Sequence, residues 1–277
     1  MNSILDIQTN EAIGERGLIN IHLPEGDGPF KFILGIHGGG WNNGDRNSYH
    51  PNLFNRMSPH GFAIVLCSYR IQSEAKYPAA YHDLVHVLKW LKTNGHKHKL
   101  DTSGCVLLGA SAGGHQVALL NTKATKEETD ILNILGTVSI CPVLDLELQY
   151  DFDKERDLKM CVNFIGGERE EKTDLYKDAS PHNHIHENMP PIWLTHGDAD
   201  KCVTVENSRN FVKKLKNMNL KHSYTESPGI PHSMIKPVPE GEEVSDDNRE
   251  MLHEESMVEF IKECFNNLNN STKTTRR

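Results

Sequence analysis

The sequence predicts a single α/β domain: a mostly parallel central sheet flanked by helices. Three observations carry that expectation. Short, continuously apolar runs such as Phe32-Ile33-Leu34-Gly35-Ile36 and Phe62-Ala63-Ile64-Val65-Leu66-Cys67 have the length and composition of strands covered on both faces. Stretches with apolar residues at helical spacing lie between these runs, and such alternation along a whole chain is the pattern of a parallel sheet. The length, 277 residues, suits one large domain of this kind. The domain is expected over residues 1–268, with a small lid-like insert at 145–190 and a disordered polar tail at 269–277.

Composition narrows the function classes. The formal net charge of −8 argues against nucleic acid or an anionic membrane surface as a partner. No apolar run approaches the length of a membrane span. The start, Met1-Asn2-Ser3-Ile4-Leu5-Asp6, has neither a basic opening nor a long apolar core, which reads as cytoplasmic. The six cysteines, at 67, 105, 141, 161, 202 and 264, form no Cys-x-x-Cys pair, and several sit in apolar runs. They read as buried free thiols, not as a disulfide frame or a zinc site. Homo-oligomerisation is left open.

Taken in order, residues 17–23 alternate as a half-buried strand does. The interior strand Lys31–Ile36 ends in His37-Gly38-Gly39-Gly40-Trp41. Three glycines after a buried strand are costly unless the backbone has a task, and presenting amide N–H groups to a developing anion is such a task. The strand Phe62–Cys67 leads to Tyr69-Arg70, and Tyr77-Pro78 opens a helix over 79–93 with a stripe of Leu84, Val87, Leu88 and Leu91. Asp83 on it reads as a structural partner for a nearby backbone or basic group. The next strand begins at Cys105, and a helix-compatible run spans 116–121. A further strand is expected over Val138–Val143, then the insert with one or two short helices. Its alternating His182, His184 and His186 read as a surface loop, since no acidic or cysteine ligand sits at a convincing spacing. The strand Ile192–His196 leads into Gly197-Asp198-Ala199-Asp200, followed by a helix over 205–217 and a last strand over 221–226. Then come the loop Gly229-Ile230-Pro231-His232-Ser233, an acidic loop at 240–247 and a final helix over 251–267.

Cys105 to Leu108 runs into Gly109-Ala110-Ser111-Ala112-Gly113 and then a helix. A turn that pushes a serine out at the tip of a strand strains its backbone and needs tiny neighbours two positions away on either side. Gly109 and Gly113 meet that demand. The alternative is a glycine-rich connection with an ordinary serine. Serine is a poor nucleophile at neutral pH and needs a base that is itself oriented by an acid. Loops at the carboxyl ends of parallel strands collect such groups. Four of them here carry the triple glycine, Ser111, an aspartate pair and His232, and the order Ser, Asp, His is that of the α/β-hydrolase fold.

On these residues the chain resembles α/β-hydrolase serine esterases, close to the hormone-sensitive-lipase-like and the short-cap feruloyl/acetyl-xylan esterase groups. The resemblance runs from about Gly17 to Phe265. It rests on His-Gly-Gly-Gly-Trp at 37–41, Tyr69-Arg70, Tyr77-Pro78 with Asp83, Gly-Ala-Ser-Ala-Gly-Gly-His at 109–115, His196 to Val203, and Gly229 to His232. It implies Ser111 as nucleophile, His232 as general base and Asp200 as the orienting acid, with Asp198 the rival. It further implies an oxyanion hole from the amides of Ala112, Gly39 and Gly40, with Gly38 or Trp41 as substitutes. Trp41 is the candidate substrate contact, and His115 and His196 fit as structural residues. The implied reaction is hydrolysis of a small-molecule or oligosaccharide ester, acetyl or feruloyl in type, with no cofactor and no metal. Two other classes stay open: an amide-cleaving enzyme on the same scaffold, and a non-catalytic ligand receptor.

Overall fold

Neighbouring residues of the apolar runs go to opposite faces of one sheet. Ile33, Ile64 and Val106 belong to one buried cluster, while Leu34, Val65 and Leu107 belong to another. Both faces are covered, so these strands are apolar throughout instead of alternating. The computed structural model describes residues 2–49, 52–234 and 251–274. Its sheet contains β1 (Asn2–Gln8), β2 (Leu18–Leu23), β3 (Phe32–Ile36), β4 (Ala63–Cys67), β5 (Cys105–Ala110), β6 (Ile134–Ile140), β7 (Ile192–Gly197) and β8 (His222–Ser227). The order is β1-β2-β4-β3-β5-β6-β7-β8. β2 runs antiparallel to β1 and β4, and the remaining pairs are parallel.

The helices are α1 (Asn52–Met57), α2 (Ala79–Asn94), α3 (Ala112–Leu119), α4 (Thr125–Glu127), α5 (Leu146–Lys154), α6 (Met160–Ile165), α7 (Thr173–Asp178), α8 (Glu206–Asn217) and α9 (Glu254–Thr274). α1 and α9 cover one face of the sheet through Phe54, Met57, Met257 and Ile261. α2 and α3 cover the other through Leu84, Leu88 and Val117. α8 packs Phe211 and Leu215 against Ile192 and Leu194 of β7. Asp83 holds α2 in place: it accepts from the Arg70 amide at 3.0 Å and from the Arg70 guanidinium at 2.7 and 2.9 Å.

Several elements differ from the sequence expectations. β1 was not expected. It is an exposed edge strand whose register shifts between Ile4 and Ile7, so its two inward residues are three apart and no period of two shows. β6 begins at Ile134 and ends at Ile140, not Val138 to Val143. Gly136 hides its start, and a side chain there would strike Cys264 of α9. α3 starts at Ala112, directly after Ser111, with two glycines in its first turn that weaken the helical signal. α9 continues to Thr274, through most of the stretch expected to be a disordered tail. The acidic loop at 240–247 lies outside the described residues.

The insert holds three α-helices, α5 to α7. Tyr150, Cys161, Phe164 and Tyr176 join the same cluster as α2 and α3. Buried Lys123 ties it down, donating to both Asp178 oxygens at 2.6 Å and to Tyr77 Oη at 3.2 Å.

Candidate active site

Ser111 stands between β5 and α3 with φ 57° and ψ −124°, a strained backbone for a residue with a side chain. Its amide donates to the Ile140 carbonyl of β6 at 2.8 Å, and its carbonyl accepts from the His115 amide at 2.9 Å. Both flanking glycines are required by close approach. A Cβ on Gly109 would collide with the Gly113 carbonyl, and a Cβ on Gly113 with the Ile36 carbonyl. Tyr49 braces the turn from the side, its hydroxyl accepting from the Ala110 amide at 3.0 Å.

Asp200 and His232, the expected acid and base, come from the loops after β7 and β8. Asp200 is only 8 % exposed. Its Oδ1 accepts from the Cys202 and Val203 amides at 2.7 and 2.9 Å. Its Oδ2 accepts from His232 Nδ1 at 2.6 Å and from His196 Nε2 at 3.2 Å. Burial opposes the charge of Asp200. The donors from His196, His232 and Val203 outweigh it and hold the carboxyl well below the usual carboxylate range. An ionised carboxylate only accepts, so His232 carries its proton on Nδ1 and leaves Nε2 free as a base. The same logic fixes His196. Its Nε2 also points at the Val203 carbonyl, so Nδ1 accepts from the Ser208 hydroxyl at 2.8 Å. The rival Asp198 is exposed and accepts from the Gly229 amide at 2.6 Å. It shapes the loop that carries His232 and makes no bond to the ring.

The triple-glycine loop faces this pair. Gly39 and Gly40 have φ of 99° and 58°. Among the described residues the amides of Gly39, Gly40 and Ala112 donate to no acceptor. The loop is seated by its neighbours. Buried His37 stacks on Tyr69 at 4.2 Å and donates from Nδ1 to the Gly38 carbonyl at 2.9 Å. Trp41, 1 % exposed, stacks on Phe164 of the insert at 4.4 Å. Its indole N–H donates to His115 Nδ1 at 3.1 Å, so His115 donates from Nε2 to the Ala179 carbonyl at 2.8 Å. Desolvation lowers both His37 and His115 to about 4, so both rings are neutral near pH 7.

Ser111, His232, Gly39, Gly40, Trp41 and Ala112 line one cavity of about 500 Å³. Val143, Met160 of the insert and Val203 supply apolar wall, and among the described residues no Lys, Arg, Asp or Glu lines it. Ser111 Oγ has no hydrogen-bond partner among the described residues, a looseness common before substrate arrives. Several wall residues carry no motif, Tyr49 and Val143 among them, and Met160 comes from the insert expected to act as a lid. Cys202 lies inside the Asp200 turn but is exposed, unlike the other five cysteines, which are buried and free. His184 and His186 bond to the Asp178 carbonyl and the Thr125 hydroxyl. Neither joins His182 in a metal-binding group among the described residues.

The profile of the BD-FAE family matches residues 19–215. Esterase LipC of Mycobacterium tuberculosis is 25 % identical over 213 residues, covering 74 % of this chain and 53 % of its own length. The versiconal hemiacetal acetate esterase of Dothistroma septosporum is 25 % identical over 231 residues, covering 77 % of this chain and 70 % of its own. The chain spans about half the length of several curated relatives it matches. A truncated carbohydrate esterase from gut microbiota superposes with a TM-score of 0.80 at 20 % identity, covering 95 % of this chain and 96 % of that one. That likeness shows the α/β-hydrolase fold.

Proposed function

The chain belongs to the BD-FAE family, and on that premise we propose that it is a serine carboxylesterase acting on short-chain or carbohydrate-linked acyl esters of acetyl or feruloyl type. One observation carries the reading. A strained Ser111 shares a cavity with His232, whose Nδ1 is bonded to the buried Asp200. Ser111 Oγ attacks the ester carbonyl while His232 Nε2 takes its proton. Asp200 keeps the ring in the correct tautomer and stabilises the imidazolium. The amides of Ala112, Gly39 and Gly40 receive the oxyanion, an effect worth about 3 kcal/mol per donor. The imidazolium returns the proton to the departing alkoxide, leaving the acyl group on Ser111. Water, activated by His232, then releases the acid.

The uncharged wall favours neutral esters over charged ones. Two of the similar proteins support the substrate class: one name specifies an acetate ester, the other a carbohydrate. Ser111→Ala is expected to abolish hydrolysis of p-nitrophenyl acetate while the far-ultraviolet circular dichroism stays that of the parent. Most of the activity surviving that change would sink the triad. A panel of acetyl to octanoyl p-nitrophenyl esters, methyl ferulate, acetylated xylo-oligosaccharides and a matched amide then sorts the substrates. Faster amide than ester turnover would overturn the esterase assignment.

A further inference from the structure

Cys202 follows Asp200 by two residues, and its amide donates to Asp200 Oδ1 at 2.7 Å. That turn brings its thiol to the wall of the cavity holding Ser111 and His232. The Cys202 Sγ, a ring nitrogen of His232 and a carboxylate oxygen of Asp200 all lie within 4.8 Å of one another. Thiolate, imidazole and carboxylate are the ligand types of tetrahedral zinc, at bond lengths of about 2.0–2.3 Å. Such bonds place ligand atoms roughly 3.3–3.8 Å apart, so only small side-chain shifts are needed. The three ligands come from two adjacent loops, and the exposed thiol gives an ion access from solvent. Magnesium and calcium prefer all-oxygen sites and do not suit this set.

We infer that Cys202, His232 and Asp200 form an inhibitory zinc site at the edge of the catalytic cavity. The binding rests on the three side chains, and its consequence rests on the esterase reading. Binding releases the Cys202 thiol proton to solvent and forms a zinc–sulfur bond. Coordination through His232 Nε2 occupies the lone pair that takes the serine proton. Coordination through Nδ1 breaks the bond to Asp200 and puts the remaining ring proton on Nε2. Either way the base is removed. The fourth position is left to water facing the cavity.

The test is calorimetric titration of zinc chloride into the wild type, Ser111→Ala and Cys202→Ser, alongside wild-type hydrolysis of p-nitrophenyl acetate at the same zinc concentrations. Ser111→Ala keeps all three ligands and reports binding with no turnover. The expected result is one micromolar site in the wild type and Ser111→Ala, weakened roughly tenfold or more in Cys202→Ser. Wild-type activity falls over the same zinc range and returns with EDTA. The Cys202→Ser rate, relative to its own zinc-free value, resists to tenfold higher zinc. Weak surface histidine sites cancel between the variants. Zinc bound equally tightly by Cys202→Ser, or no stoichiometric site in the wild type, would overturn the inference. A chain that binds zinc as expected yet hydrolyses no ester would overturn the esterase reading alone.

Discussion

Asp200 takes four hydrogen bonds on two oxygens and lies 32 positions from the histidine it orients. Asp200→Asn keeps the shape but offers an N–H where His232 also donates, which forces the wrong tautomer. Loss of kcat by about 10³–10⁴ is expected on p-nitrophenyl acetate. Asp198→Asn keeps an oxygen to accept from the Gly229 amide and removes only the carboxylate charge, and kcat within about tenfold of the parent is expected. Equal losses in the two variants would show that the acid is misassigned. At this scale the sequence pattern was most legible. The residues offered an aspartate pair, and the family resemblance over His196 to Val203 singled out Asp200; the glycines at 109 and 113 announced the tight turn around Ser111. Tyr49 was not legible, because a wall residue is chosen by where the chain passes and not by local spacing; Met160 was legible only as part of the lid-like insert. Cys202 was grouped with the buried cysteines, because nothing local shows that the Asp200 turn faces it outward.

Strands and helices that bury both faces announce themselves by continuous apolar character. β3, β4, β5 and β7 read correctly for that reason. Elements whose pattern is broken by a contact elsewhere do not. Gly136 is small because α9 lies on it, and the spacing of Ile4 and Ile7 reflects an irregular register. The insert reads only as a mixed stretch, since its apolar residues fill a core that belongs to the domain. Its helix α6 contributes Met160 to the cavity, with the sulfur 3.8 Å from where a Cβ on Gly40 would stand. Met160→Ala opens space beside the glycine loop. The expected outcome is a kcat/KM ratio of butyrate over acetate raised about tenfold, on the scale of one or two methylenes in an apolar pocket. An unchanged ratio would place the acyl chain elsewhere.

Over the whole molecule, stability is coupled to pH through two rings buried near the site. His37 and His115 titrate at about 4 in the folded protein because burial disfavours their charge, against an ordinary value near 6.5. Between these values the unfolded chain binds more protons, so stability present above about pH 6.5 is lost as pH falls toward 4. At pH 5 the loss is about 2 kcal/mol per ring. The urea midpoint is therefore expected to be lower at pH 5 than at pH 7, and His115→Gln to flatten that dependence. A midpoint indifferent to pH in this range would mean the rings accept protons while folded.

His115 sits four residues beyond Ser111, its two ring nitrogens bonded to Trp41 of the glycine loop and to Ala179 of the insert. The glycine loop and the insert are thus hung from a single ring on the helix that follows Ser111. On the esterase reading, an ester bulky enough to shift the insert is expected to move the glycine loop with it, so oversized substrates are expected to lose kcat more than they raise KM.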